Sequence, residues 1–97
     1  MFALLITSQQ KIETLNDAIK TFETKVVTAV KIHKGFRAIY LLTDHKTGKT
    51  ISLSLWDSKN DAYDNEQSGY YQAQMDEFKG FSTASSVFEG YEVSVQG

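Results

Sequence analysis

The sequence predicts an α+β domain in which one antiparallel sheet carries two helical segments, in the order β-α-β-β-α-β. Three observations point there. The run Phe2 to Thr7 is almost wholly apolar, too short for a helix and rich enough for a buried strand. Ile12, Leu15, Ile19, Phe22, Val26, Val30 and His33 follow at steps of three and four, the stripe of a long amphipathic helix. Beyond it, Phe36 to Thr43 and Thr50 to Trp56 read as two strands around a loop of hairpin composition.

Each boundary has a local reason. Ser8 is placed to cap the first helix with its hydroxyl. Lys31 and Lys34 suit the helix's negative end, and Gly35 supplies the left-handed residue that stops it. The hairpin loop is Asp44 to Lys49, with Gly48 where positive φ is needed. Gly48-Lys49-Thr50 matches the end of a phosphate-binding loop, but that pattern needs a glycine where Thr43 stands. It also needs a helix to follow, and an alternating strand follows instead. The triplet reads as a turn, and no nucleotide is expected.

Ser58 and Asp61 form a capping-box-like start to a second helical region through Tyr63 and Glu66. Ser68-Gly69 bends or restarts it, and Tyr71, Met75 and Phe78 stripe one face as far as Gly80. Residues 82 to 86 connect to a fourth strand, Val87 to Gln96, with Tyr91, Val93 and Val95 on one face. This order is that of a ferredoxin-like sandwich, one sheet and one helical layer, and residues 1–97 read as a single domain.

Composition narrows the function classes. A hydrophobic fraction of 41% supports a real core, and a formal charge of −2 with interspersed signs offers nucleic acid no basic stripe. There is no cysteine, which removes disulfides, thiolate metal sites and a cysteine nucleophile. The apolar start lacks a basic leader and is too short for a signal peptide, and no run is long enough to span a bilayer. A soluble cytoplasmic domain with no membrane partner is the expectation.

The strands predict a partner. Both helical segments should lie on one side of the sheet, yet both sheet faces carry large apolar residues. Pairing the hairpin about its loop sets Leu42, Tyr40 and Ala38 beside Ile51, Leu53 and Leu55. It sets Leu41, Ile39 and Arg37 beside Ser52, Ser54 and Trp56, unless a bulge changes the register. Which face meets the helices is left open. The uncovered one predicts a homodimer, sheet on sheet.

Taken together, these features resemble the antibiotic-biosynthesis-monooxygenase-like group of dimeric α+β barrel proteins. The residues that carry the resemblance are the short apolar first strand, the helix ending in Gly35-Phe36, and Leu55-Trp56-Asp57-Ser58 leading into a helix. The Tyr70-Tyr71 helix and an aromatic-bearing last strand complete it. The resemblance implies a pocket between sheet and helices near the tryptophan. It also implies chemistry of the group's kinds: cofactor-free oxygenation of phenols or quinols, haem degradation, or none yet known. The haem-degrading branch carries a histidine on the helix after the tryptophan and an asparagine on the first strand. Here Tyr70 to Met75 holds no histidine and Phe2 to Thr7 no asparagine, so haem degradation is not expected.

The candidate substrate-binding residues are Arg37, Ser52, Ser54, Trp56, Tyr70, Tyr71 and Tyr91. Trp56, the sole indole, either stacks on a flat ligand or packs the strand–helix hinge. Arg37 either holds an anionic oxygen or joins a surface ion pair. Ser52 and Ser54 either line a pocket or fill the centre of the sheet, and no His-Asp set makes either a nucleophile. The tyrosines either hydrogen-bond a phenol or belong to the core. His33 and His45 lack spaced ligand partners, so no metal and no cofactor are expected. Two functions remain open: a small-molecule oxygenase-like enzyme on an aromatic or quinol-type substrate, and a non-catalytic homodimeric binding protein.

Overall fold

The computed structural model describes residues 1–67 and 86–97. Strand β1 (Phe2–Gln9) leads through a short 3-10 turn (Ile12–Thr14) into a helical rod. The rod comprises α1 (Leu15–Thr21), a π-helical turn (Phe22–Val26) and α2 (Val27–Val30). Strands β2 (Phe36–Thr43) and β3 (Lys49–Trp56), helix α3 (Lys59–Gln67) and strand β4 (Val87–Glu92) follow. The sheet is antiparallel with order β2-β3-β1-β4, the ferredoxin-like arrangement. The expected bend at Ser68-Gly69 and the stripe Tyr71, Met75, Phe78 lie outside the described residues.

The first helix departs from expectation at both ends. Ser8 does not cap it: β1 runs on to Gln9, with Ser8 opposite Thr50 and Gln9 opposite Lys49. Ladder hydrogen bonds to β3 outweigh the local cap, and Lys11 enters the helix without a side-chain capping bond. The buried stripe is Leu15, Ala18, Phe22, Val26 and Val30, while Ile12 is exposed. The π turn adds a residue to the helical repeat at Phe22–Val26, which keeps Phe22, Val26 and Val30 aimed inward at steps of four. Gly35, at φ 79°, ends the segment as expected.

The hairpin holds its expected register except at one place. Leu42, Tyr40 and Ala38 face Ile51, Leu53 and Leu55, and Leu41 and Ile39 face Ser52 and Ser54. A bulge between Phe36 and Ala38 then puts Phe36, not Arg37, opposite Trp56. Gly48 sits at φ 81°, its N–H donating to the Asp44 carbonyl at 2.8 Å and its carbonyl accepting from Gln10 N–H at 2.9 Å. A side chain there would collide with the Gln10 carbonyl, so the loop needs glycine. Ser58 does cap α3, its hydroxyl accepting from Asp61 N–H at 3.1 Å. The last strand ends at Glu92, so Val93 and Val95 lie beyond it.

Partners across an antiparallel ladder share a face, which settles the sheet's two sides. Phe2, Leu4, Ile6, Ile39, Ser54 and Trp56 face the helices, where Phe2, Leu4, Val30, Trp56 and Ala62 form a buried cluster. The other face carries Leu5, Ile51, Leu53 and Leu55, flanked by Tyr40, Leu42, Val87 and Tyr91. These four flanking residues are 49–55% exposed. No helix among the described residues is long and apolar enough to cross a membrane.

Candidate functional site: a cavity between the sheet and the first helix

The helix-facing residues of the central strand β3 are Thr50, Ser52, Ser54 and Trp56, three small side chains and then a large one. At the tryptophan end the layer is filled. Trp56 is 0% exposed and meets Phe36 edge-on at 5.7 Å between ring centroids. At the other end the small side chains leave a hollow of about 40 Å³ that opens to solvent. Its sheet side is Ile6 and Ser8 from β1, Thr50 and Ser52 from β3, and Leu41 from β2. Its helix side is Leu15, Ala18, Ile19 and Phe22, and Gln10 and Ser86 also line it. The π turn begins at Phe22, over this hollow.

The lining is apolar with hydroxyls. Thr50 and Gln10 are buried, and Gln10 Nε2 donates to Thr50 Oγ1 at 3.5 Å. Thr50 Oγ1 in turn donates to the Ser8 carbonyl at 3.4 Å. The Ser8 and Ser86 hydroxyls meet at 2.9 Å. Ser52 is half-buried in the wall, and its hydroxyl has no protein partner among the described residues. No lysine, arginine, histidine, aspartate or glutamate lines the cavity among the described residues.

The structure therefore separates the sequence candidates. Ser52 lines the cavity. Ser54 lies buried, accepting the Trp56 indole N–H at 2.9 Å and donating to the Leu4 carbonyl at 3.5 Å. It satisfies the tryptophan rather than facing the hollow, and Trp56 itself sits in the core cluster. Arg37 is the extra residue of the β2 bulge and pairs with Asp57 at the exposed surface. Tyr91 stands on the opposite sheet face beside Ala3, its phenol donating to Glu89 Oε2 at 2.6 Å. That hydrogen bond and the carboxylate's charge raise its pKa above the ordinary 10.0. Tyr70 and Tyr71 lie outside the described residues.

Sequence reasoning missed Thr50, Leu41 and Gln10. Thr50 was legible: it continues the two-residue period of Ser52 and Ser54. Gln10 carries no pattern, since only the length of β1 brings it over Thr50.

No sequence-family profile and no curated protein sequence matches this chain. Solved structures do. A provisionally named antibiotic biosynthesis monooxygenase from Nitrosomonas europaea superposes with TM-score 0.79 over 98% of this chain and 100% of its own, at 9% identity. One of the same provisional name from Caulobacter crescentus gives 0.80 over 97% and 90%, at 14% identity. The fold is that of the antibiotic-biosynthesis-monooxygenase-like proteins. A further match with this monooxygenase-like fold is a monooxygenase from the gene ActVA-Orf6 of Streptomyces coelicolor, solved in complex with nanaomycin D. It gives TM-score 0.72 at 13% identity, covering 99% of this chain and 91% of its own. At such identities the likeness is one of fold, and chemistry has to be argued from the cavity.

Proposed function

We propose that this protein is a small-molecule oxygenase-like enzyme, a cofactor-free monooxygenase acting on an aromatic or quinol-type substrate held in the cavity. The single observation that carries this reading is the hollow itself. It is a concave site walled by Ile6, Leu15, Ile19, Phe22 and Leu41, with a few hydroxyls in a mostly apolar surface. In such a reaction the substrate supplies the electrons. A phenolic ring C–H becomes a quinone C=O, dioxygen takes four electrons, one oxygen atom enters the ring and the other leaves as water. The chain's part is to hold the ring, keep water out and hydrogen-bond the oxygen as its charge develops, a role that this reading gives to Ser52, whose position in the cavity wall supports it.

A second reading, a non-catalytic binding protein, is favoured by one specific feature. The described lining offers hydroxyls to stabilise an oxyanion but no titratable group to create one. Oxygen uptake separates the two. With naphthols and dihydroxynaphthalenes, the enzyme reading predicts uptake above autoxidation that scales with protein and is lost in Ser52→Leu. Saturable binding without uptake leaves the binding protein, and neither binding nor uptake overturns both.

Both readings include a homodimer. Leu5, Leu53 and Tyr40 pair across three strands on the face away from the helices, with Ile51, Leu55 and Leu42 around them. A contiguous apolar surface of this kind is covered most economically by the same face of a second copy, sheet on sheet about a two-fold axis.

A further inference from the structure

We propose that the π turn at Phe22–Val26 is a slip point in the roof of the hollow. Moved one turn towards the N-terminus, it swings Phe22 off the hollow while both ends of the rod stay anchored. The inference concerns the rod and the space that Phe22 covers, and it holds with or without a ligand there. A π turn is one residue in excess of an α-helix, and that excess can sit at any turn between two fixed helical ends. Here the ends are fixed: Leu15 is buried at one, and Val26 and Val30 are buried at the other, Val30 within the core cluster. Residues that the excess passes exchange one ladder register for the other. That is a rotation of about 100° and a shift of about 1.5 Å along the axis.

Three observations place the slip at this point. The hydrogen-bond ladder changes step on both sides of Phe22: its N–H is shared between the Ala18 and Ile19 carbonyls, and its carbonyl accepts from Val27 N–H. Helix preference is low here, since five of the eight residues from Thr21 to Thr28 are β-branched, against one of the six from Leu15 to Lys20. The Thr24 hydroxyl donates to the Lys20 carbonyl at 2.9 Å, a bond of the kind that bends helices. It also holds the turn in place, because a slip carries Thr24 round with Phe22 and away from Lys20. Phe22 is buried and lines the hollow, whereas Glu23, Thr24 and Lys25 are exposed. Phe22 is therefore the side chain whose motion opens or closes the hollow. Exposing it is unfavourable, so the slipped form is a minor one, within the range of about 0.1–10% usual for such alternatives.

Relaxation dispersion on the full chain without ligand tests this in wild type, Thr24→Ala and a variant with Thr24 deleted. Wild type is expected to show microsecond-to-millisecond exchange at the Phe22 ring and at the amides of the π turn, with Leu15 and Val30 quiet. Thr24→Ala removes the side-chain bond and is expected to raise the slipped population about two- to tenfold. Deleting Thr24 removes the extra residue, leaves Phe22 and Val26 three apart on one helix face, and is expected to abolish the exchange in a folded chain. A quiet Phe22 in wild type overturns the slip. So does exchange spread equally over Leu15 and Val30, or exchange that persists unchanged in the deletion variant. If the deletion variant does not fold, Thr24→Ala decides alone, and an unchanged or smaller slipped population in it overturns the proposal. None of these outcomes bears on whether the hollow takes a ligand, which the binding and oxygen-uptake measurements decide.

Discussion

Two ends of one layer, built on the same strands and roofed by the same helical rod, differ in whether they are filled. At one end Trp56, Phe2, Leu4, Val30 and Ala62 close the space. At the other, Thr50 and Ser52 stand where a larger residue would reach the helix, and an open hollow of about 40 Å³ remains. The ladder of β1 and β3 runs in unbroken register from Phe2↔Trp56 to Gln9↔Lys49, so the difference does not come from the pairing of these two strands. It comes from side-chain volume along one face of β3. A central strand that places small hydroxyl residues over a buried layer gives up packing at that end and gains a place for something else.

The contrast can be broken at either end. Trp56→Ala should have the largest effect, about 3–5 kcal/mol of lost stability, because a fully buried indole leaves a cavity behind. Chemical denaturation checks this, and a variant as stable as wild type would mean the filled end is not what holds the layer. On the open sheet face, Leu53→Lys should convert a dimer into a monomer in sedimentation at micromolar concentration, since it sets a charge in the centre of the apolar row. A wild-type chain that is already a folded monomer there would contradict the assembly argument. Leu41→Lys is not the matching probe, because Leu41 points into the cavity.

Ser52→Leu sharpens the comparison by making the hollow end resemble the filled one. It should abolish 2-naphthol binding while changing stability by less than about 1.5 kcal/mol, as the added methyl groups enter existing space. A large destabilisation would show that the hollow is already occupied. The smallest effect concerns Tyr91, away from both ends. Its pKa is raised in the folded chain by Glu89, so the folded state holds the proton more tightly than the unfolded state. That contribution is present below the ordinary tyrosine range and is lost as pH rises through the raised value. Wild type should therefore lose slightly more stability than Tyr91→Phe between about pH 9 and about pH 11, measured by urea melts.

Much of this fold was legible in the sequence because its signals are local. The two-residue period of Ile51 to Leu55, the positive-φ glycines at 35 and 48, and the Ser58 cap each act within a few residues. The hairpin register followed from loop length and held from Leu42 to Ile39. What failed was non-local. Ser8 reads as a cap until β3 claims it for the sheet, and Arg37 reads as Trp56's neighbour until a bulge removes it. The site was half legible for the same reason. Ser52 was singled out by its place on an alternating strand, whereas Trp56 drew attention as a lone indole. Only the packing of Val30 and Ala62 against it shows that it belongs to the core.

The central claim is that the hollow end, and neither the filled end nor the open face, takes the ligand. Methyl-resolved nuclear magnetic resonance tests it in one titration of the wild-type chain with 2-naphthol. The account predicts saturable shifts at the methyls of Ile6, Leu15, Ile19 and Leu41, which line the cavity. Val30 in the core cluster and Leu53 on the open face should stay still. Shifts centred on Leu53 or Val30, with the cavity methyls unmoved, would contradict it.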